Sequence, residues 1–298
     1  MMEFSEININ DKALFDKYLK ESNPQASERT FTNFFMWREY YKFRYAVIGD
    51  LLCVVSANEK NAPFAFAPIG ACNDENFEEA LSVLREYFRM NGWRFRFSRV
   101  TDKELPYFKK YVASERDISI DRDNSDYVYL TRNLIELSGK KYDGKRNHIK
   151  RFRKQYEYEY VELGPGNVDE CSRIMLEWCE SRNCNCQRGE YCERYASMEL
   201  LKNFGVLDVK GALIKVNGKF EAFTVGEMLN QDTAVIHIEK ANSAIHGLYA
   251  FINQQFCEHE WHGTTYINRE QDLGIEGIRK AKLSYNPVKM VDKYNILL

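Results

Sequence analysis

Ala234-Val-Ile-His-Ile-Glu239, Lys240-Ala-Asn-Ser-Ala-Ile-His-Gly247 and Asn268-Arg-Glu-Gln-Asp272 fall within one stretch, residues 234–285, whose hydrophobic period changes twice. The first piece alternates as a strand, with Ala234, Ile236 and Ile238 on one face and Val235, His237 and Glu239 on the other. One face is expected to enter a core and the other to meet a ligand. After the polar turn that holds Asn242, Ile245, Leu248, Ile252 and Phe256 recur at helical spacing. A second strand, Thr264 to Glu270, sets Tyr266, Asn268 and Glu270 on one face. Asp272 then stands where a carboxylate can cap a helix from about Leu273 to Tyr285. Strand, covering helix, strand implies a parallel, right-handed crossover. Ligands of such units lie at the carboxyl ends of the strands and the amino ends of the helices.

Working outward, 298 residues with 44% hydrophobic and 14% aromatic side chains suffice for two cores. No apolar run approaches the ~20 residues of a membrane span, and the first residues do not read as a signal peptide, so a cytoplasmic protein is expected. In that compartment the eight cysteines are expected to be reduced thiols. Five of them, Cys171, Cys179, Cys184, Cys186 and Cys192, lie close together, but they form no Cys-x-x-Cys pair and no histidine accompanies them; no metal is expected. A net charge of −2 gives no support to general nucleic-acid binding. Locally the balance differs: Lys140 to Lys154 carries eight basic residues against one acid, Asp143.

In chain order, helices are expected around residues 11–19 and from Thr32 to Tyr41, then a hairpin through Gly49-Asp50 and a short strand from Phe64 to Ile69. A helix from Phe77 to Met90, a strand from Trp93 to Ser98, a helix from Glu104 to Val112 and a strand from Tyr127 to Leu130 follow. The order then repeats: strand Tyr156 to Leu163, helices Val168 to Glu180 and Tyr191 to Phe204, and a hairpin about Asn217-Gly218. Next comes the opening stretch, and Lys289 to Ile296 makes a last strand. The repeat divides the chain into 1–135 and 136–298, the second part carrying the ligand cleft.

This order, together with Lys140-Lys-Tyr-Asp-Gly-Lys-Arg-Asn-His-Ile149 and Asn268-Arg-Glu-Gln-Asp-Leu-Gly-Ile-Glu-Gly-Ile-Arg-Lys-Ala-Lys-Leu-Ser-Tyr285, resembles the soluble C-terminal domain of phosphatidylglycerol lysyltransferases and its stand-alone relatives. The resemblance implies a mixed α+β fold of two tandem GNAT-like domains. It also implies a cleft between splayed strands, and aminoacyl-tRNA as donor for transfer to a lipid headgroup. The membrane-spanning half of the lysyltransferases has no counterpart in this sequence. The acetyl-coenzyme A version of the fold has a phosphate loop of the form Gln/Arg-x-x-Gly-x-Gly/Ala, whereas Lys240 to Gly247 contains one glycine. Fewer glycines leave fewer backbone amides able to approach a pyrophosphate, which demotes coenzyme A.

The candidate site residues follow from these stretches. Starting at Lys145, a helix places Arg146, Lys150 and Arg153 on one stripe, with Ile149 and Phe152 anchoring the other side; the stripe suits a phosphate chain or is a solvated helix face. His148 can hydrogen-bond a ligand or be structural. On the terminal helix Ile275, Ile278 and Ala281 are expected as the buried line, Glu276 and Lys280 as an i, i+4 pair, and Arg279 with Lys282 as a cationic flank beside Asn268 and Asp272. For acyl transfer, Glu239 and Glu270 are candidate bases, or else salt-bridge partners of the nearby cations, and Tyr285 is a candidate proton donor. The reading is an acyltransferase, with aminoacyl transfer from tRNA to an amine or hydroxyl acceptor favoured. A tRNA acceptor end and a small-molecule or lipid-headgroup acceptor would be its partners, and the membrane surface a place of work. A coenzyme A dependent N-acyltransferase and a non-catalytic small-molecule-binding module remain the alternatives.

Overall fold

A computed structural model of the chain describes residues 2–184 and 191–298. Two compact units result: Met1–Asp126 with Gln271–Gly274 and Met290–Leu298, and Tyr127–Glu270 with Ile275–Lys289.

In the first unit, β1 (Ser5–Glu6) precedes α1 (Lys12–Ser22), which buries Phe15, Tyr18 and Leu19 at helical spacing. The expected helix through Tyr41 comes in two pieces, α2 (Phe31–Met36) and α3 (Arg38–Tyr41), broken at Trp37, whose φ of −97° and ψ of 0° leave the helical region. Strands β2 (Phe43–Ile48) and β3 (Leu51–Ser56) form the anticipated hairpin around Gly49, which has φ 53°. The strand β4 is only Phe64–Ala65, with an isolated bridge from Ile69 to Leu52, as prolines at 63 and 68 lead one to expect. Next, α4 (Asp74–Met90) opens on a capping box at Asn73 and buries Phe77, Leu81, Leu84 and Phe88. Those side chains join Cys53, Val55 and Phe97 in one core. Strand β5 (Arg96–Thr101), the single-turn α5 (Leu105–Phe108) and β6 (Ile118–Ile120) complete this part.

The second unit begins in β7 (Asp126–Leu130) and continues through α6 (Thr131–Glu136), α7 (Asp143–Gln155), β8 (Tyr158–Glu162), α8 (Val168–Ser181) and α9 (Glu193–Lys202). It ends with β9 (Lys210–Val216), β10 (Lys219–Met228), β11 (Thr233–Ala241), α10 (Leu248–Glu260), β12 (Tyr266–Asn268) and α11 (Glu276–Leu283). The last expected strand is two, β13 (Lys289–Val291) and β14 (Lys293–Leu297). The sheets run β1-β2-β3-β4-β5-β14-β6 and β13-β7-β12-β11-β10-β9-β8. Strand β14 thus lies in the first sheet, antiparallel to β5 and β6. Its Lys293 is fully buried, 2.6 Å from both Glu28 and Asp126, and Arg99 reaches Glu28 at 2.8 Å.

Three expectations need correction. Ile275 and Ile278 are 51% and 37% exposed, and α11 has no buried residue, so its apolar line is not a core line. Asp272 does not cap that helix: Ile275 holds the N-cap position, while Asp272 accepts from the Gly274 amide and lies 3.4 Å from Arg122, all within the first unit. Cysteines 53, 72, 171, 179, 184 and 257 are free thiols, but Cys192 is disulfide-bonded, so the expectation of eight reduced thiols does not hold; Cys186 lies outside the described residues. Among the described residues no cluster of three metal-ligating side chains occurs, and no helix is long and apolar enough to cross a membrane.

Candidate functional site

The site is built on a gap between two parallel strands of the second unit. β11 and β12 pair only through Thr233, Ala234 and Val235 with Tyr266, Ile267 and Asn268. Beyond Val235, β11 runs on to Ala241, and side chains take over where the backbone ladder stops. His237 Nδ1 lies 2.9 Å from Glu270, and Arg269 donates to Glu239 at 2.9 Å. The alternation read from the sequence explains this, since His237 and Glu239 share one face of β11.

His237 is held on both sides, its Nε2 lying 2.8 Å from Glu227 on β10. Burial would lower its pKa, but hydrogen bonds to Glu227 and Glu270 outweigh that and push it up to about 9. The ring is therefore an imidazolium between two carboxylates at neutral pH. Glu270 itself adopts a left-handed φ of 58°, costly for a side-chain-bearing residue. Its amide is held by the buried Asn268 side chain at 2.8 Å, and the Lys282 ammonium donates to the Glu270 carbonyl at 3.2 Å and to that of Arg269. Asn268 and Lys282 thus brace the turn that aims Glu270.

Beside this lies an aromatic and cationic cluster. Glu239 is engaged on both oxygens, by Arg269 and by Asn253 Nδ2 at 3.0 Å. The Arg269 guanidinium sits 4.8 Å over the Tyr285 ring and 5.8 Å over Tyr129, while Lys145 lies 4.0 Å over Tyr285. Burial raises the Tyr285 hydroxyl to about 12, so it stays protonated and can donate. The Lys145 ammonium is pushed below its ordinary value by burial and then by Arg269, with Glu239 opposing. The cluster combines protonated donors, from Tyr285, Arg269 and Lys145, with the carboxylates of the strand gap.

Other expected residues lie elsewhere. Arg146 is used locally, donating to the carbonyls of Leu137 and Gly139 and to Asp143. Lys150 and Arg153 are exposed on α7 as the stripe requires, Arg153 lying 5.4 Å over Phe251, while Ile149 and Phe152 are buried. His148 meets His246, with 2.7 Å between ring nitrogens. Asn242 shapes its own turn, bonded to Glu221 and to the Ala244 amide. Arg279 is half-buried on α11, and Glu276 pairs with Lys280 at 2.6 Å on the exposed side. The single glycine of the loop before α10, Gly247, has φ 87° and packs so closely on α7 that a Cβ would stand 2.4 Å from the His148 carbonyl oxygen.

The sequence profile of the family described as phosphatidylglycerol lysyltransferase, C-terminal, matches residues 19–297. The chain belongs to this family. A crystal structure of a conserved protein of unknown function from Bacteroides thetaiotaomicron is 36% identical, with a TM-score of 0.91 and full coverage of both chains. The structure of L-PGS from Bacillus licheniformis is 15% identical over 98% of this chain and 92% of that one, with a TM-score of 0.69. An uncharacterized protein of Mycoplasmoides gallisepticum is 25% identical over 62% of this chain and 60% of its own length, so the match spans about three fifths of that relative. The fold is that of tandem GNAT-like proteins, and the family is one of transferases.

Four members of the cluster carry no distinctive signal in the sequence. Alternation sets His237 on the ligand face but names no partner for it, and Arg269 is one of several basic residues in the 268–285 motif. Glu227 becomes visible only through the register that sets it opposite Val235. Asn253 carries no periodic signal, because it is one polar residue in a helix whose neighbours are buried.

Proposed function

We propose that the second unit is an acyl-transfer site for aminoacyl groups carried on tRNA, with an amine or hydroxyl acceptor. The observation that carries this reading is the gap between β11 and β12. It is bridged by His237–Glu270 and Glu239–Arg269, and so presents ionic groups where a coenzyme A thioester would ask for an open slot between strands. The loop before α10 agrees, since Gly247 serves close packing on His148 and is not available to cradle a diphosphate. Glu221, bonded to Asn242, adds negative charge at the same loop.

In the proposed reaction the acceptor nitrogen or oxygen adds to the ester carbon of the aminoacyl group, the bond to the ribose oxygen breaks, and the acceptor's proton ends on that oxygen. Glu270, aimed by Asn268 and Lys282, takes the acceptor's proton. Tyr285 supplies the proton to the leaving oxygen, with Arg269 and Lys145 countering charge on the carbonyl oxygen. Solvent then carries the proton held on Glu270 to the Tyr285 phenolate, so that the net transfer is from acceptor to ribose oxygen. A non-catalytic binding module is the second reading. It is favoured by one observation: Glu239 has both oxygens engaged and His237 is locked as an imidazolium, so neither is a ready base.

The test is transfer of a radiolabelled amino acid from charged tRNA, against acetyl transfer from coenzyme A, to a panel of amines and hydroxyl compounds. Label should leave tRNA only with active protein, and Glu270→Gln should slow it by about a hundredfold or more. Acetyl transfer from coenzyme A would overturn the donor assignment, and tight amino-acid binding without turnover would favour the module.

A further inference from the structure

The first unit has a strand gap of its own, and beside it lies a cavity that the transfer reaction does not use. The parallel strands β4 and β5 pair only through Ala65 and Phe97. Beyond that pair the chain leaving β4 turns back to β3. The Phe66 amide donates to the Val54 carbonyl at 3.0 Å, and Leu52 and Ile69 exchange amide-to-carbonyl bonds at 2.9 Å. Strand β5 continues to Thr101 and pairs with β14 on its other edge, so from Ser98 onward β4 and β5 part. Arg29 stands in this gap, 4% exposed, one Nη donating to the Ala67 carbonyl and the other to Glu104, each at 2.9 Å. The second Glu104 oxygen accepts from the Thr101 amide at 2.8 Å and from its hydroxyl at 3.0 Å.

Arg29 and Glu104 are set into the wall of a cavity of about 330 Å³, a volume within the range of small-molecule sites. Ala26, Ala67, Ile69 and Phe77, all almost fully buried, make the rest of that wall apolar. Glu21 and Lys103, both exposed, stand at the rim, where the Lys103 ammonium donates to the Ser22 carbonyl at 2.6 Å and ties its two sides together.

These groups narrow the occupant. A guanidinium carries five N–H groups, and the bonds to Ala67 and Glu104 use two, which leaves Arg29 donors for a carboxylate. The Arg29–Glu104 pair is neutral as a unit and the rim adds one acid and one base, so the cavity suits a ligand with both charges and no net charge. A hydrocarbon side chain suits the apolar wall, whereas an ionised one would be desolvated beside a Glu104 already engaged on both oxygens. A coenzyme A diphosphate is disfavoured at the next turn. Asn73 there caps the Glu75 and Asn76 amides at 3.0 Å each, and Asp74 and Glu75 put acids in the first turn of α4. Cys72, also on the wall, has its thiol pushed up to about 11 by burial and then by Glu104 and Asp74, so it offers no thiolate at neutral pH.

We propose that this cavity binds a free α-amino acid with an apolar side chain, its carboxylate on Arg29, its ammonium on Glu21 and its side chain against Ile69 and Phe77. The site stands on the first unit alone and does not rest on the transfer reading.

The experiment is isothermal calorimetry of the full chain with L-leucine, L-methionine and L-phenylalanine, against L-lysine, L-aspartate and isovalerate, which lacks the amine. The apolar amino acids should bind saturably, and isovalerate about tenfold more weakly or not at all. Ala71→Trp, which fills the cavity from an exposed position and so spares the fold, should abolish binding; Glu21→Gln should weaken it about tenfold, and Glu270→Gln in the second unit should leave it unchanged. No saturable binding of the apolar amino acids, a preference for lysine or aspartate, isovalerate binding equal to leucine, or unchanged binding in either cavity variant would overturn the proposal. Binding that survives Ala71→Trp and is lost in Glu270→Gln would move the amino acid to the second unit, ending this proposal while leaving the transfer reading in place.

Discussion

His237 has no side-chain exposure and sits between Glu227 and Glu270, which gives its titration a thermodynamic consequence. Its folded pKa, pushed up to about 9, lies above the ordinary ~6.5, so the proton stabilises the folded state. That stabilisation is complete below pH ~6.5 and is lost as pH rises through about 9, a change on the order of 3 kcal/mol. Denaturant midpoints of wild type should therefore fall between pH 6.5 and 9, and those of His237→Gln should be flat across the same window. Equal pH dependence in the two proteins would show that the ring does not carry it. Arg269 gives a second expectation at this scale. Removing it leaves the half-buried Glu239 carboxylate with Asn253 alone, so Arg269→Ala should cost about 3 kcal/mol in stability, and Arg269→Ala with Glu239→Gln should recover part of it. Simple additivity in that cycle would mean the pair is not coupled. Alternation made the shared face of His237 and Glu239 legible; the partners that fix their protonation come from other strands and could not be read.

Among the elements, α10 and α11 show how a sequence pattern can be right in period and wrong in meaning. The helix after the loop was legible from Leu248, Ile252 and Phe256, all of them buried. The scarcity of glycine in that loop was also legible, but not the use of the one present. Gly247→Ala would have to hold a left-handed φ and place a Cβ against the His148 carbonyl, so a loss of 2 kcal/mol or more is expected. Faster amide exchange in α7 and at the start of α10 should accompany it, and an unchanged unfolding curve would show that the contact is dispensable. On α11 the apolar residues are exposed while Lys282 reaches backbone carbonyls, so polarity alone misassigned the inner face. Ile278→Ser should accordingly shift stability by less than about 1 kcal/mol, as measured by denaturant melts.

For the whole molecule, the decisive feature is that β14, at the end of the chain, completes the sheet that begins at β1. Lys293 is the buried cation between Glu28 and Asp126, and Ser27 adds hydrogen bonds to Asp126 from its amide at 2.7 Å and its hydroxyl at 2.9 Å. Lys293→Met leaves two buried carboxylates without a common cation, an expected loss of 3–5 kcal/mol. Adding Glu28→Gln and Asp126→Asn should restore part of the loss; no rescue would mean the lysine acts through packing alone.

Local chemistry determined much of this protein without any structure: the β11–α10–β12 order, the hairpins at Gly49 and Asn217-Gly218, the amphipathic faces of α4 and α7, and the family motifs. Each depends on near neighbours, through period, turn residues and caps, and such information survives in one dimension. Tertiary structure alone decided which sheet β14 joins, that Glu239 faces Arg269 and Asn253, that Glu227 closes on His237, and that Gly247 is pressed against His148. Those outcomes depend on pairing between segments remote in sequence, where register and the desolvation of charges select the partner, and no spacing along the chain records that choice.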